Sequence, residues 1–497
     1  MVFMAFAGHW AYAAGMHGTT FLASPAGPAD ASSDDGAFFS RFPDLLAHLD
    51  RLGLFRMRPG LERMRAVLES LDLARPPCTV VQVVGTNGKG SVSTMLESLA
   101  RRHGLRTGLH CSPHFVSVRE RIRLNGELLP EAAWLAHANT LMRRGGQTLS
   151  YFEFVTCLAV LAFAEGQADI AVMESGLGGS FDATTALEAD LVLFTPIGLD
   201  HQAVLGDSLA AIAADKAGAI RRGGLALSAW QCAEAGRILE EKAAERGATF
   251  RQLEHCAPGR SEATGGNPPA PEPRLQGPHQ RENACLALAA WRCLVAERLL
   301  CAPALATVKK TEEECGSDSL EKQALAQAWL PGRLQAVPPL KAAAAQGTAA
   351  FVPCPQGWPA ILLDGAHNSH GFAALGRALA QGGIAPAAVI FSCLADKDPA
   401  SVVPLLRALA TGPVFVPPIA KNPRAMPPEE LAAMIGLNAT PVASFKDALG
   451  AACAHMAERL PEVFSSACSR HPLLICGSLY MLGEFYALRP DCLTPDM

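Results

Sequence analysis

No stretch of this chain reaches the ~18 consecutive apolar residues expected of a membrane-crossing helix, and none of its fifteen cysteines forms a C-x-x-C pair. The first absence argues against a membrane span. The second, with an odd cysteine count, argues against a zinc ribbon and against a disulfide framework. Cys285, Cys293 and Cys301 stand eight residues apart in an alanine-rich helical run, a spacing that suits packing. Reduced thiols and a cytoplasmic location are therefore expected. An excess of positive charge is also lacking: at a net charge of −5, nothing draws the whole molecule to nucleic acid or to an anionic membrane. Any anion must be held by a local site. The opening "MVFMAFAGHWAYAAGMHGTTF" has no basic n-region, and Gly8, His9 and Gly15 interrupt its apolar run. An unstructured extension over residues 1–36, or an early start codon, is expected there rather than a secretion signal.

What is present is the composition of a folded protein, 49% apolar and 18% charged, in 497 residues. That length implies more than one domain, since single cores stop growing near ~250–300 residues. Helical periodicity begins near Phe42 in "FPDLLAHLDRLGLF". To about Leu205, short apolar strands ("TVVQVV", "RTGLHC", "ADIAVMES", "ADLVLFTPI") alternate with helical stretches. Such alternation predicts a mainly parallel sheet covered by helices on both faces. The proline-rich Ala257–Pro278 reads as a surface loop, and a second helical stretch follows, interrupted by the charged "KKTEEECGSDSLEK". "LPGRLQ" (Leu330–Gln335) reads as a hinge, after which the alternation resumes in "AILLDGAHN", "AAVIFSCL", "GPVFVPPI" and "HPLLICGSLY". The boundaries drawn are 37–333 for a first α/β domain and 334–497 for a smaller second one. No internal repeat is evident.

The chemistry starts at "TVVQVVGTNGKGSVSTMLESLARRHG", Thr79–Gly104. A buried strand, a turn with three glycines and a lysine, and an amphipathic helix starting near Ser91 make an anion cradle. Backbone N–H groups converge there and the helix dipole favours negative charge. The turn departs from the G-x-x-x-x-G-K-[ST] phosphate loop. Only Thr86 and Asn87 separate Gly85 from Gly88, and Gly90 intervenes between Lys89 and Ser91. Alone, this says nucleotide and no more.

Further blocks follow in a fixed order: "GLERM" (Gly60–Met64), "CSPHFVSVRERIRLNG" (Cys111–Gly126), "YFEFVT" (Tyr151–Thr156), "ESGLGGSFDATT" (Glu174–Thr185) and "GLDHQAVLG" (Gly198–Gly206). "DKAGAI", "HQRENACLALAA", "PGRLQ", "DGAHN", "DKD", "NPRA" and "CGSLY" complete the set. Together with "GTNGKGS", and spanning about residue 42 to 486, they resemble the folylpolyglutamate synthetase and dihydrofolate synthase family, related to the Mur peptide ligases. The resemblance implies a P-loop-type, mainly parallel sheet domain, a Rossmann-like α/β C-terminal domain, and an ATP cleft between them. It implies ATP-dependent amide formation between a folate-type carboxylate and L-glutamate through an acyl phosphate, in a monomer whose partners are dihydropteroate, reduced folates and glutamate. Such a reaction is mostly positioning and neutralisation of clustered negative charge.

Carried over residue by residue, the resemblance assigns the ATP phosphates to Thr86, Asn87, Gly88, Lys89, Gly90 and Ser91. Adenine and ribose contacts fall to Asn283, Arg333 and Asp364, and magnesium to Ser112, Glu174 and His201. Lys216 corresponds to a lysine that is carbamylated in the family; His367 and Asn368 face the glutamate, with Arg424 and Ser478 beside them. Lys89, Lys216 and His367 are the catalytic candidates. Dihydropteroate maps onto Gly60, Leu61, Ser150, Tyr151, Phe152, Glu153, Phe181, Asp182 and Ala183. Phe152 offers a ring to stack on a pterin, and Asp182 a carboxylate to pair with its N–H groups. Where the family usually has "GLGGRLDATN", this chain carries Ser180 and Thr185, and Gln202 and Ala203 replace the usual "TD" after the histidine. These departures bear on substrate preference more than on reaction class. The alternatives are a Mur-type ligase acting on a cell-wall precursor, a P-loop kinase, or an inactive homologue.

Overall fold

The computed structural model describes residues 37–54, 58–253, 272–340, 357–420, 422–436, 438–464 and 470–494. The expected extension over 1–36 and most of the expected loop at 257–278 lie outside these residues. From Phe39 onward the described chain belongs to one compact unit. Within it stand two sheets.

The first has eight strands: β1 (Thr79–Val84), β2 (Thr107–His110), β3 (Ile122–Leu124), β4 (Glu127–Leu128), β5 (Ile170–Glu174), β6 (Leu191–Phe194), β7 (Leu225–Ser228) and β8 (Thr249–Gln252). Their order is β4-β3-β2-β5-β1-β6-β7-β8. The only antiparallel pairings, β2 with β3 and β3 with β4, lie at one edge, so that β3 alone is reversed. β1 is central and buried on both faces, as its near-continuous run of valines requires. The two-residue period divides those valines. Val80 and Val84 pack with the helix Tyr151–Glu165, whereas Val81 and Val83 pack with the helices Lys89–Arg102 and Pro278–Ala296. Helices thus cover both faces, as the alternation predicted.

The second sheet comprises β9 (Gln335–Val337), β10 (Ile361–Asp364), β11 (Ala388–Phe391), β12 (Val414–Val416), β13 (Ala439–Pro441) and β14 (Leu473–Cys476), in the order β13-β12-β11-β14-β10-β9. All its pairings are parallel except β9 with β10.

Two expectations need correcting. The charged "KKTEEECGSDSLEK" does not interrupt the helical stretch; it lies in the helices Ala302–Cys315 and Ser317–Gln327, parted only at Gly316. Their buried Ala304, Val308, Leu320, Ala324 and Leu325 form an inward face, and the charges occupy the outer one except Glu321, which is buried and paired with Arg292. The helix after the glycine turn starts at Lys89 rather than near Ser91, because Gly88 at φ 91° ends the loop one residue before it. Among the described residues, no helix is long and apolar enough to cross a membrane.

Candidate active site

A cleft of about 950 Å³ opens where the carboxyl ends of the first sheet's strands face the loops of the second. Ligands of open parallel sheets collect at such edges. Its floor is the glycine turn after β1. At Gly85, φ is 151° and an added Cβ would fall 1.9 Å from Thr195 Oγ1. At Gly88, φ is 91° and the Cβ would fall 2.5 Å from Asn283 Oδ1. Both positions demand glycine by conformation and by contact. Lys89 Nζ curls back to donate to the carbonyls of Gly85 (3.2 Å) and Thr86 (3.1 Å). Thr86 Oγ1 donates to Gly198 O and accepts from Gly198 N–H, at 3.0 and 3.1 Å, which fastens the turn to the segment after β6. The amides that open the helix at Lys89 line the cleft as an anion site.

Glu174 ends β5, and the register pairs it with Val83 beside the turn. It is 4% exposed, and its Oε2 accepts the Ser112 N–H at 3.0 Å. Burial raises its carboxyl above the usual range, against the pull of Lys89. Ser112 follows β2, so two adjacent strand ends supply two oxygen-bearing residues of the expected metal set. Their donor atoms suit a hard divalent cation. His201 lines the same cleft but is otherwise engaged: its Nε2 lies 2.9 Å from Lys397 Nζ. Cation binding through His201 therefore requires that contact to be exchanged. Burial first, then Lys397, lowers the His201 imidazole to about 3. Among the described residues no three His, Cys, Asp or Glu side chains cluster as a metal cage.

Lys397 and Asp200 were missing from the expected set, and they organise this end of the cleft. Lys397 Nζ sits 2.6 Å from Asp200 Oδ1, with both side chains 6% exposed. Asp200 also accepts the His201 N–H (2.8 Å) and an Asn368 amide N–H (2.9 Å), and His367 Nε2 stands 3.6 Å away. Burial alone would raise the Asp200 carboxyl. His367 and the Lys397 charge outweigh it and hold the group well below the usual carboxylate range. The Asn87 and Asn368 side chains exchange two hydrogen bonds (3.0 and 3.2 Å), so the glycine turn touches the second half directly. Contacts between the halves are thus already made. Both missed residues lie inside blocks quoted above, "GLDHQAVLG" and "DKD".

Lys216, on the helix Leu209–Ala217, is not the solvated lysine of a plain amphipathic helix. It is buried beneath the turn and donates to Gly85 O at 2.9 Å. Burial, then the Lys89 charge, lowers its amine to about 7. Arg333 and Asn283 line the cleft, with Asn283 Nδ2 donating to Gln280 Oε1 at 3.0 Å. Asp364 also borders it, but its carboxylate is occupied by the N–H groups of Leu334 (2.9 Å) and Ala366 (2.8 Å).

The expected pterin residues are brought together only in part. Gly60 and Leu61 do not line the cleft; Leu61 is buried in the core, and Arg58 and Pro59 border the space instead. Ser150 and Glu153 reach it, yet Glu153 accepts the Ser150 N–H (2.8 Å), capping its own helix, and pairs with Arg63 (3.0 Å). Asp182 accepts from Leu177 N–H, Thr184 N–H and Thr184 Oγ1, so its oxygens serve the turn Ala183–Leu187 rather than an open acceptor site. Tyr151, Phe152, Phe181 and Ala183 do line the cleft, and Phe181 is 62% exposed. Ser478 accepts the Tyr480 N–H at 3.2 Å, and Arg424 pairs with Asp396. The departures are local: Ser180 Oγ donates to Asp215 O and Thr185 Oγ1 to Gly179 O.

Comparison with known proteins gives consistent neighbours. Residues 350–464 match the family model "Mur ligase, glutamate ligase domain". The Escherichia coli K12 dihydrofolate synthase/folylpolyglutamate synthase is 30% identical over 450 residues, covering 88% of this chain and 93% of that protein. The Haemophilus influenzae protein of the same name is 38% identical over 182 residues, 37% of this chain, and that alignment spans only 42% of its own length. The E. coli FolC structure with DHPP and ADP superposes with a TM-score of 0.72 at 27% identity, covering 91% of this chain and 98% of that one. A bifunctional folylpolyglutamate synthase/dihydrofolate synthase with Mn, AMPPNP and L-glutamate bound gives 0.68 at 27% identity, covering 90% and 98%.

Proposed function

The chain belongs to the dihydrofolate synthase/folylpolyglutamate synthase family, and from that premise we propose that it is an ATP-dependent ligase joining L-glutamate to dihydropteroate and to folate polyglutamates. The observation that carries the reading is the convergence of the glycine turn, Glu174, Ser112 and the second half's Asn368 and His367 around one cleft and its border. A carboxylate is a poor acyl donor because its oxide is a poor leaving group. Transfer of the ATP γ-phosphoryl group to it creates a mixed anhydride; the glutamate nitrogen attacks its carbonyl carbon, the C–O bond breaks and phosphate leaves.

In this reading the amides from Gly88 to Ser91 and the Lys89 ammonium hold the phosphates, and Lys89 neutralises charge as it moves to the bridging oxygen. Ser112 and Glu174, with His201 once released from Lys397, hold magnesium, which would draw the phosphate oxygens together. Arg333 and Asn283 border the nucleotide, and Asn368 and His367 face the incoming glutamate. Tyr151, Phe152 and Phe181 provide the apolar faces for the pterin. Carbamylation of Lys216 belongs to the same reading: an amine lowered to about 7 is about half neutral near pH 7, and that fraction is open to reaction with CO₂. A cytoplasmic monomer acting on small molecules, without nucleic acid or membrane partners, accompanies it. The folate names of the relatives favour it over a cell-wall substrate.

The test is ADP release from ATP and magnesium with dihydropteroate, with and without L-glutamate, followed by product mass. Glutamate-dependent turnover with one or more added glutamates supports the ligase, and a ladder of masses supports both activities. ADP release indifferent to glutamate would instead mark a kinase.

A further inference from the structure

One cation of the cleft has no task in the ligase reading on which this inference rests. Arg121 closes the 3-10 turn Val118–Arg121, is 2% exposed, and lines the cleft with Ser112, Tyr151, Phe152 and Glu174. Its carbonyl accepts the Cys111 N–H at 3.0 Å, which holds the turn against the end of β2. Its Nε–H donates to His114 Nδ1 at 2.8 Å, and its Cζ stands 5.5 Å from the Tyr151 ring centroid. Both neighbours are uncharged partners, an imidazole acceptor and a phenol.

The nearby acids are spent elsewhere. Glu120, the preceding residue, turns both oxygens to the N–H groups of Phe115, Val116 and Ser117, at 2.7, 2.8 and 2.6 Å. Glu153 is divided between Arg63 and the Ser150 N–H. Glu174 gives its Oε2 to the Ser112 N–H and feels the Arg121 charge, but makes no ion pair with it. Among the described residues Arg121 has no ion pair; Arg58, Arg333 and Arg377 of the cleft have none either, but Arg121 alone of the cleft arginines is buried. A guanidinium stripped of water with no acid in ion-pair contact is costly. A planar fork of N–H donors kept in that condition matches a carboxylate that comes and goes.

We infer that Arg121 is the receptor for the carboxylate of the acyl substrate, gripping it between the Tyr151–Phe152 wall and the Ser112–Glu174 corner. The position fits this anion better than the nucleotide phosphates, which the turn amides and Lys89 already serve from the end of β1. It supplies a cationic contact, which the carboxylates Asp182 and Glu153, both locally committed, cannot offer an anion. Arg121 would bring the reacting oxygen to the phosphoryl group and offset its charge until that charge passes into the mixed anhydride.

The experiment compares pteroate with its carboxamide, an otherwise identical neutral ligand, by equilibrium binding to the full chain with magnesium and AMPPNP present. Wild type is expected to prefer the acid by about 30-fold or more, as a charge-assisted bidentate contact implies. Arg121→Gln should bring the two ligands within about 3-fold and lower kcat/KM for dihydropteroate about 100-fold, with the ATP KM within about 2-fold. Arg121→Lys, which keeps charge but loses the fork, should retain an intermediate acid preference of about 10-fold. Melting curves establish which variants fold, and either folded variant suffices. Equal affinity of wild type for acid and amide, or an acid preference untouched in the folded variants, would overturn the assignment. Dihydropteroate-dependent ADP release by wild type is the separate control: its absence removes the ligase reading itself, whereas its presence with an unchanged acid preference removes only the role of Arg121.

Discussion

The two ends of the cleft are built on opposite plans. At the nucleotide end, side chains reach across from one half to the other: Asp200 to Lys397, Asn87 to Asn368. At the pterin end, polar side chains are committed within the first half: Glu153 to its helix cap and to Arg63, Asp182 to its turn. The first plan makes the site depend on how the halves are placed. The second makes a rigid wall whose aromatic faces, rather than its carboxylates, meet the ligand. The reacting groups therefore sit where the structure depends most on long-range contact.

The sharpest way to break this contrast is Asp200→Ala, which leaves the Lys397 charge buried and alone. A loss of about 3–5 kcal/mol is expected, read by denaturant unfolding, with turnover falling as His201 and Asn368 lose their anchor. An unchanged midpoint and an unchanged ATP KM would show that the cross-half contact is ornamental. Lys89→Ala should leave the fold intact and cut kcat by about 100- to 1,000-fold, measured as ADP release.

Lys216→Met probes the base of the same end through pH. The lysine's folded value of about 7 lies below its usual 10.5, so the unfolded chain binds the extra proton between those values. Wild-type stability should therefore rise with pH across that window relative to the Met variant, by on the order of 4–5 kcal/mol, with the Met variant the more stable form below it. Parallel melting curves from about pH 6 to about pH 10 read this difference; parallel behaviour throughout would mean that the amine is not buried as an amine.

At the other end, Glu153→Gln should cost about 1–2 kcal/mol of stability, through its cap and its Arg63 pair, and leave the ATP KM unchanged. A large change in nucleotide binding would erase the distinction between the ends. Smallest of all, Arg424→Ala should shift stability by less than about 1 kcal/mol, since its pair with Asp396 is partly solvated.

The same contrast explains what the sequence disclosed. β1 and its glycine turn were legible because an apolar run, three glycines and a helix start are local signals, and the strand falls on Thr79–Val84 as expected. β8 was not seen, since an edge strand of half-exposed Thr249–Gln252 carries little apolar pattern. Asp200 and Lys397 lie in quoted motifs, but their pairing joins positions 197 residues apart, which no spacing rule reveals. Ser150 and Glu153 line the cleft and also serve their own helix. Their S-x-x-E spacing before an apolar helix is itself a capping-box signature, and reading it as such would have assigned the carboxylate to the helix. The placement of Arg121 depended on knowing which acids nearby were already engaged, and only coordinates give that.

The linker between the sheets has one further consequence. Gly332 O accepts the Gly365 N–H, Gly332 N–H donates to Gln335 Oε1, and Asp364 holds the Leu334 N–H, so Arg333 is stapled on both sides to the second sheet. Any rotation about the connection must take place upstream of Gly332. Arg333 then travels as a fixed pointer on the moving body, and where its guanidinium lies relative to Glu174 is a gauge of the angle between the two sheets.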